Sequence, residues 1–262
     1  MARLDFELVT RGLARSRQTA KEMVSSGAVT VNGRTVTKPS AEVSADDEIG
    51  SAAQEKYVGR GALKLERAVE VFGLELGGKI CVDVGASTGG FTDLMLQNGA
   101  ERVFAVDVGH GQLAQSLRND ERVICMEGTD IRTLTAEDIG GEADFVCADV
   151  SFVSLTHILP SVRGLMKDGA SAAVLIKPQF EAGRSSIGKH GIVRDIKVHI
   201  RVLTELDSFF RSIGLMPVGY TYSPVKGGSG NTEYLVHLKK TDEAAPEHDF
   251  KKLAESAFSA LS

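Results

Sequence analysis

The residues of this chain with the greatest chemical reach stand at the ends of apolar runs. Asp149 closes Cys147-Ala148-Asp149, Lys177 closes Val174-Leu175-Ile176-Lys177, and Glu233 opens Glu233-Tyr234-Leu235-Val236. Lys64 lies upstream, in a stretch that reads as a helix. A charged residue ending a buried strand meets either water or a ligand, and open α/β sheets bind ligands outside the carboxyl ends of their strands. Asp149 and Lys177 share that edge, and Glu233, at the start of an antiparallel strand, falls on it too. A second constellation is the run Lys79–Phe91, an apolar strand followed by the turn Gly85-Ala86-Ser87-Thr88-Gly89-Gly90-Phe91. Gly85, Gly89 and Gly90 allow positive φ and let a ligand approach the backbone. The spacing is G-x-x-x-G-G, whereas a pyrophosphate-binding turn wants G-x-G-x-x-G. Asp83, two residues before Gly85, suits a ligand with a positive centre. Asp107 ends the next strand, 22 residues after Gly85, where an acid can accept both hydroxyls of a ribose.

These residues need a scaffold, and the hydrophobic pattern supplies one. Strands are expected at 80–84, 102–107, 122–127, 144–149, 171–176, 216–222 and 233–239. Helices are expected near 90–98, 112–118, 154–166 and 195–213, with another beginning at Gly61-Ala62-Leu63-Lys64. Alternation at this spacing predicts βαβ units and a parallel sheet. The last two strands leave no room for a crossover helix, so they should pair antiparallel.

Composition sets the bounds. The 262 residues suffice for a large domain and a small one, and 42% apolar with 25% charged residues is ordinary for a soluble globular protein. No apolar run approaches a membrane span, and no secretory leader is expected, which points to a cytoplasmic protein. Cys81, Cys125 and Cys147 fall in predicted strands and read as core residues, and the six histidines show no metal-ligand spacing. Net charge is −5, but residues 1–40 hold Arg3, Arg11, Arg15, Arg17, Lys21, Arg34 and Lys38 against only Asp5, Glu7 and Glu22. That asymmetry suggests a basic module on an acidic body.

The module spans residues 1–50. A short helix carries Leu4 and Leu8, and Ser16 is placed to cap a second helix over Arg17–Ser25. Val29-Thr30-Val31, Asn32-Gly33 and Thr35-Val36 read as a hairpin. Basic residues on the second helix and beside the turn can form a phosphate-binding face. Residues 51–60 read as a linker, 61–240 as the sheet domain, and 241–262 as a polar tail with a short amphipathic helix. The pattern Arg3-Leu4-Asp5, Arg11-Gly12-Leu13-Ala14-Arg15-Ser16-Arg17, Gly27-Ala28-Val29-Thr30-Val31-Asn32-Gly33 and Lys38-Pro39 resembles the S-four (S4) RNA-binding domain. That resemblance implies RNA contacts by the seven basic residues just named.

The glycine-rich turn with Asp107 resembles the cofactor site of methyltransferases that use S-adenosylmethionine (SAM). It implies cofactor contacts by Asp83, Gly85, Ala86, Ser87, Gly89, Gly90, Phe91 and Asp107, with Asp130 beyond the third strand. The expected fold is therefore α/β, a seven-stranded Rossmann-like methyltransferase sheet with a small α+β S-four-like domain before it. Lys64, Asp149, Lys177 and Glu233 resemble the Lys-Asp-Lys-Glu catalytic tetrad of FtsJ-like ribose 2′-O-methyltransferases. With the module, with Ser116-Leu117-Arg118-Asn119-Asp120 and with Lys177-Pro178-Gln179-Phe180-Glu181, the chain resembles the TlyA family of rRNA (cytidine-2′-O)-methyltransferases, also called hemolysins. The resemblance implies ribosomal RNA or ribosomal subunits as substrate, with no metal and no obligatory protein partner. Lys177 is expected as the base or hydroxyl-orienting group; a free lysine, pKa about 10.4, is a poor base at neutral pH unless burial and a neighbouring cation depress it. Glu55-Lys56-Tyr57-Val58 departs from the Arg-Ala-Trp-Val linker of some members. The competing readings are a non-catalytic ribosome-assembly factor on this fold and a membrane-active hemolysin.

Overall fold

Ile80–Val84 is apolar on both faces apart from Asp83, and a strand of that kind belongs at the centre of a covered sheet. In the structure, a computed structural model that describes residues 2–51, 56–183 and 186–261, it does lie there. The chain forms two compact units, Met1–Lys56 and Tyr57–Ser262. Tyr57 to Arg60, expected in the linker, therefore belong to the larger unit, and residues 52–55 of that linker lie outside the described residues.

The smaller unit contains β1 (Ala2–Arg3), α1 (Leu4–Thr10), α2 (Arg17–Ser25), β2 (Val29–Val31), β3 (Arg34–Thr35), β4 (Glu42–Val43) and β5 (Ile49–Ser51). Ser16 caps α2 by accepting the Thr19 N–H, as the sequence predicts. The strands form an antiparallel pair, β1 with β4, and a three-stranded sheet ordered β3-β2-β5. Leu4, Leu8, Ala20, Val24, Val29 and Val43 fill the core between the helices and these strands.

The larger unit runs α3 (Ala62–Phe72), β6 (Ile80–Val84), α4 (Gly90–Gln97), β7 (Arg102–Asp107), α5 (Gln115–Arg118), β8 (Val123–Glu127), β9 (Ala143–Ala148), α6 (Leu155–Leu165), β10 (Met166–Ile176), α7 (Pro178–Glu181), α8 (Ile196–Ser212), β11 (Leu215–Tyr222), β12 (Tyr234–Lys240) and α9 (Phe250–Ala260). One seven-stranded sheet has the order β11-β12-β10-β9-β6-β7-β8. Strands β6 to β10 are parallel, and β12 is antiparallel to both β10 and β11. Alternate residues feed opposite cores: Val82, Val84, Val146 and Val174 on one face, Cys81, Ala105, Phe145 and Leu175 on the other. The chain leaves β6 toward β7 and β8, then returns to β9 on the other side. The strand order thus reverses between β6 and β9, which opens a crevice at their carboxyl ends.

One expectation changes. Cys125, read as a core residue, is exposed, because β8 is the edge strand of the sheet. The short amphipathic helix expected within 241–262 forms as α9 and turns one face inward: Ala254 and Ala257 are fully buried, and the Phe258 ring stands edge-on to His199 of α8.

Candidate active site

The four expected catalytic side chains meet at the crevice. Asp149 extends β9 by one residue, its N–H donating to Val84 O at 3.0 Å. Lys177 follows β10 and precedes Pro178, whose ring disfavours helical geometry at the residue before it; its φ, ψ of −112°, 98° is extended. Lys64 projects from the buried face of α3, and Glu233 immediately precedes β12. Lys64 Nζ lies 3.1 Å from Asp149 Oδ2 and 2.9 Å from Glu233 Oε2, and Lys177 Nζ lies 2.6 Å from Asp149 Oδ1. Two cations and two anions thus form a single chain of ion pairs with no net charge. Burial alone draws the Lys64 ammonium down, but the Asp149 and Glu233 carboxylates outweigh it and hold its pKa above the ordinary lysine value. Lys64 therefore stays charged.

Three neighbours escaped the sequence reading. Ser151 Oγ accepts from Lys177 Nζ at 2.9 Å, and Gln179 Nε2 donates to Glu233 Oε1 at 3.2 Å. Gly227 makes room, since a Cβ there would lie 2.3 Å from Glu233 Oε1. Gln179 had a signal, as it stands inside the quoted run Lys177–Glu181.

A cleft of about 440 Å³ adjoins the tetrad, lined among others by Gly85, Ser87, Asp107, Gln112, Asp130 and Asp149. A second opening, lined by Ala86, Gly90, Phe91 and Lys177, shares Gly85, Ser87, Asp149 and Ser151 with it, so the crevice reaches from Asp107 to Lys177. Lys177 lines this opening, whereas Lys64 does not. Gly85 is required by close approach: at φ +83° a Cβ would sit 2.6 Å from Asp149 O. Asp107 accepts N–H groups from Ser87 at 2.8 Å and Gly109 at 2.7 Å, which orients its carboxylate in the cleft wall. Asp130 accepts the Arg132 N–H and pairs with that guanidinium, which with the N–H holds its carboxyl down at about 2.

Two expected cofactor contacts take other positions. Asp83 is fully buried beneath the turn, where Thr92 Oγ1 donates to it at 2.7 Å and burial pushes its carboxyl up to about 6. It braces α4 against β6 instead of lining the cleft. Gly89 also turns away: a Cβ there would strike Leu117 Cδ1 at 2.2 Å, so its small size serves packing against Leu117 and Leu113.

The mouth of the crevice carries an apolar feature the sequence did not announce. Phe152 is 90% exposed at a left-handed φ of +64°, and its ring centroid lies 5.0 Å from that of Phe180. Lys177 Nζ lies 5.9 Å from the Phe180 ring centroid.

In the smaller unit the basic residues divide. Arg3 and Arg17 both pair with Asp5, whose carboxyl they hold down at about 2. Arg11 turns inward, bonding Glu7 and the carbonyls of Ser44, Ala45 and Asp47, so it fastens a turn and is no free RNA contact. Arg15, Arg17, Lys21, Arg34 and Lys38 are exposed. Over residues 2–51 seven basic side chains face seven acidic ones, because Glu42, Asp46, Asp47 and Glu48 cancel the excess of the first forty residues. The unit is neutral, and its positive charge is a local matter of α2 and the β2–β3 turn.

Among the described residues no His, Cys, Asp and Glu cluster could hold a metal ion, and no helix is long and apolar enough to cross a membrane.

Comparison with known proteins agrees with this geometry. The FtsJ-like methyltransferase family matches residues 57–240, and the S4 domain matches residues 2–49. The 16S/23S rRNA (cytidine-2′-O)-methyltransferase TlyA of Mycobacterium tuberculosis is 45% identical over 246 residues, covering 93% of this chain and 92% of that one. Hemolysin A of Brachyspira hyodysenteriae is 41% identical over 237 residues, covering 90% of this chain and 99% of its own. A solved structure from Streptococcus thermophilus, described as a candidate hemolysin, shares 42% identity at a TM-score of 0.80, covering 99% of this chain and 96% of the other.

Proposed function

The chain belongs to the TlyA branch of the FtsJ-like methyltransferase family, and from that premise we propose that it methylates cytidine ribose 2′-hydroxyls of ribosomal RNA, in both 16S and 23S RNA, with SAM as donor. The reading rests above all on the tetrad: three buried charged groups and the half-buried Asp149, linked at 2.6–3.1 Å at the switch point of the sheet. Burying charge is costly unless it is paired, and hydrophobic replacements often serve stability as well or better. A fold used only to assemble ribosomes would have no need of this arrangement.

The residues present fit SAM. Gly85 lines the cleft with backbone alone, Asp107 offers carboxylate oxygens to a ribose diol, and Asp149, the tetrad member that lines the cleft, adds negative charge to its wall. Bound there, SAM supplies an electrophilic methyl group on a sulfonium. The protein's part is to present the nucleophile. Lys177, on the wall of the crevice, meets the 2′-hydroxyl and orients it as it attacks; to take the hydroxyl proton, the Lys177 ammonium first releases its own proton to solvent. Asp149 fixes Lys177, and Lys64, pinned as a cation between Asp149 and Glu233, fixes both carboxylates. Holding the hydroxyl in line supplies much of the rate. Phe152 and Phe180 offer an apolar face on which the target base stacks, the usual way a single-stranded or unstacked nucleotide is held. Exposed Arg15, Arg17, Lys21, Arg34 and Lys38 contact the phosphate backbone, an interaction that weakens as salt rises. The substrate is cytoplasmic, and so is the proposed site of action.

The test is incubation with methyl-labelled SAM and separate 30S and 50S subunits, followed by digestion to nucleosides. Label in 2′-O-methylcytidine from both subunits is expected. Label on a base, or none, would overturn the reading.

A further inference from the structure

Between Asp107 and α5 the chain passes through Val108-Gly109-His110-Gly111-Gln112-Leu113, a loop that forms one wall of the cleft through Asp107, Val108 and Gln112. Two glycines make it intrinsically loose, since glycine loses the most conformational freedom on ordering. It is nevertheless held from both sides. On the inner side Leu113 packs over Gly89, Ala114 N donates to Thr88 O at 3.2 Å, and Gln112 reaches Ser87 Oγ at 3.3 Å, so the loop rests on the glycine-rich turn. On the outer side stands Glu127, the last residue of β8, in register with Asp107. Its carboxylate accepts three consecutive N–H groups, from Gly111 at 2.7 Å, Gln112 at 2.7 Å and Leu113 at 2.9 Å. Arg118 closes the arrangement, donating to Glu127 and to Leu113 O at 3.0 Å.

We propose that Glu127, oriented by Arg118, is a positioning residue for the cofactor: it clips residues 111–113 against the glycine-rich turn and so sets SAM affinity without touching the reacting atoms. The proposal rests on the reading of the cleft as a SAM site. It also gives work to Arg118, which the sequence reading singled out within Ser116–Asp120 and to which the reaction itself assigns none. Glu127 is not among the residues lining the cleft, so its influence passes through the loop. Its carboxyl is held down at about 2, first by the Leu113 N–H and then by Arg118, so it remains an acceptor throughout the neutral range. Three N–H groups converging on one anion form a backbone nest. Without it the loop must order itself when the ligand binds, and ordering at that moment subtracts from affinity.

Calorimetry of SAM binding and single-turnover transfer on the full chain test this, with Glu127→Ala, Glu127→Gln and Arg118→Met beside the wild type. Glu127→Ala should weaken SAM binding about tenfold or more, with the transfer rate at saturating SAM within about twofold of wild type. Glu127→Gln, which keeps the size but turns an NH2 group toward backbone donors, should fall between, as should Arg118→Met. Hydrogen exchange of the 111–113 amides in cofactor-free Glu127→Ala should quicken. Should Glu127→Ala fail to fold, Glu127→Gln decides by the same measure. Wild-type binding of SAM with unchanged affinity in the variants, or an equal loss in rate at saturating SAM, would overturn the clip alone. A wild type that binds no SAM would overturn both the clip and the methyltransferase reading.

Discussion

The lysines at the sheet edge and the arginines of the N-terminal unit carry the same charge under opposite constraints. Lys64 and Lys177 are 9% and 8% exposed and are held by carboxylates that are themselves largely covered. Arg3 and Arg17 share Asp5 with their own side chains 50% and 55% exposed. Buried pairs are expensive to form and severe to break, whereas exposed pairs contribute little and are screened by salt. The difference matches two kinds of work. Methyl transfer needs groups fixed to fractions of an ångström, while phosphate contact needs positive charge that water and counterions can leave.

Lys64→Ala is the harshest way to break the comparison. It strands Glu233, 2% exposed, without the lysine that bridges it to Asp149, while Asp149 keeps Lys177. Losing one member of a buried ionic group costs about 3–5 kcal/mol. Urea unfolding should register that loss; a variant as stable as the wild type would mean the pairs are effectively solvated.

Asp83 sharpens the contrast, because it is a buried acid with hydrogen bonds but no cation. Its carboxyl, raised from 3.8 to about 6, is worth roughly 3 kcal/mol at about 1.4 per unit. The folded state binds this proton more tightly than the unfolded state, so the contribution falls as pH rises from about 4 to about 6 and is constant above. Asp83→Asn removes that dependence. Its stability relative to wild type should climb between pH 4 and pH 7, with SAM affinity unchanged; a pH-independent difference between the two proteins would show Asp83 ionised and content throughout.

Asp107→Ala acts on binding alone. It removes charge-assisted bonds to a ribose, each worth roughly 1.5–3 kcal/mol, and also frees Ser87 N and Gly109 N. SAM affinity should fall at least about tenfold by calorimetry, and unaltered binding would place the cofactor elsewhere. Lys21→Glu with Arg34→Glu should have the mildest effect, a several-fold loss of rRNA affinity that shrinks as salt increases, with SAM binding intact. An equal loss at low and high salt would deny these two residues a phosphate contact.

Much of this architecture was legible in the chain. Strands such as Ile80–Val84 and Arg102–Asp107 declare themselves because buried parallel strands are continuously apolar, and the tetrad stands out because Asp149 and Lys177 interrupt such runs where they end. Other features depend on what lies alongside. Cys125 looks like a core residue until β8 proves to be the edge. Arg11 looks like an RNA contact until the carbonyls of the 44–47 turn take up its guanidinium. Asp83 sits beside the turn in sequence yet points beneath it, since strand residues alternate faces. The Glu127 clip needs the β7–β8 register, and the left-handed backbone of Phe152 has no signature in its residue type.

Single-turnover methylation by the Lys177→Ala protein, at saturating SAM and with rRNA concentration varied, tests the division of labour most directly. Lys177 touches the crevice while Pro178 holds its backbone extended, so its loss should leave the fold and the half-saturating RNA concentration near normal. The limiting rate should fall by about 10²-fold or more, the scale of losing a positioned acid–base group. Lys177→Arg should not restore it, because a guanidinium stays protonated and its planar fork reaches differently. A Lys177→Ala protein with a near wild-type limiting rate would contradict the account and remove the tetrad from the chemistry.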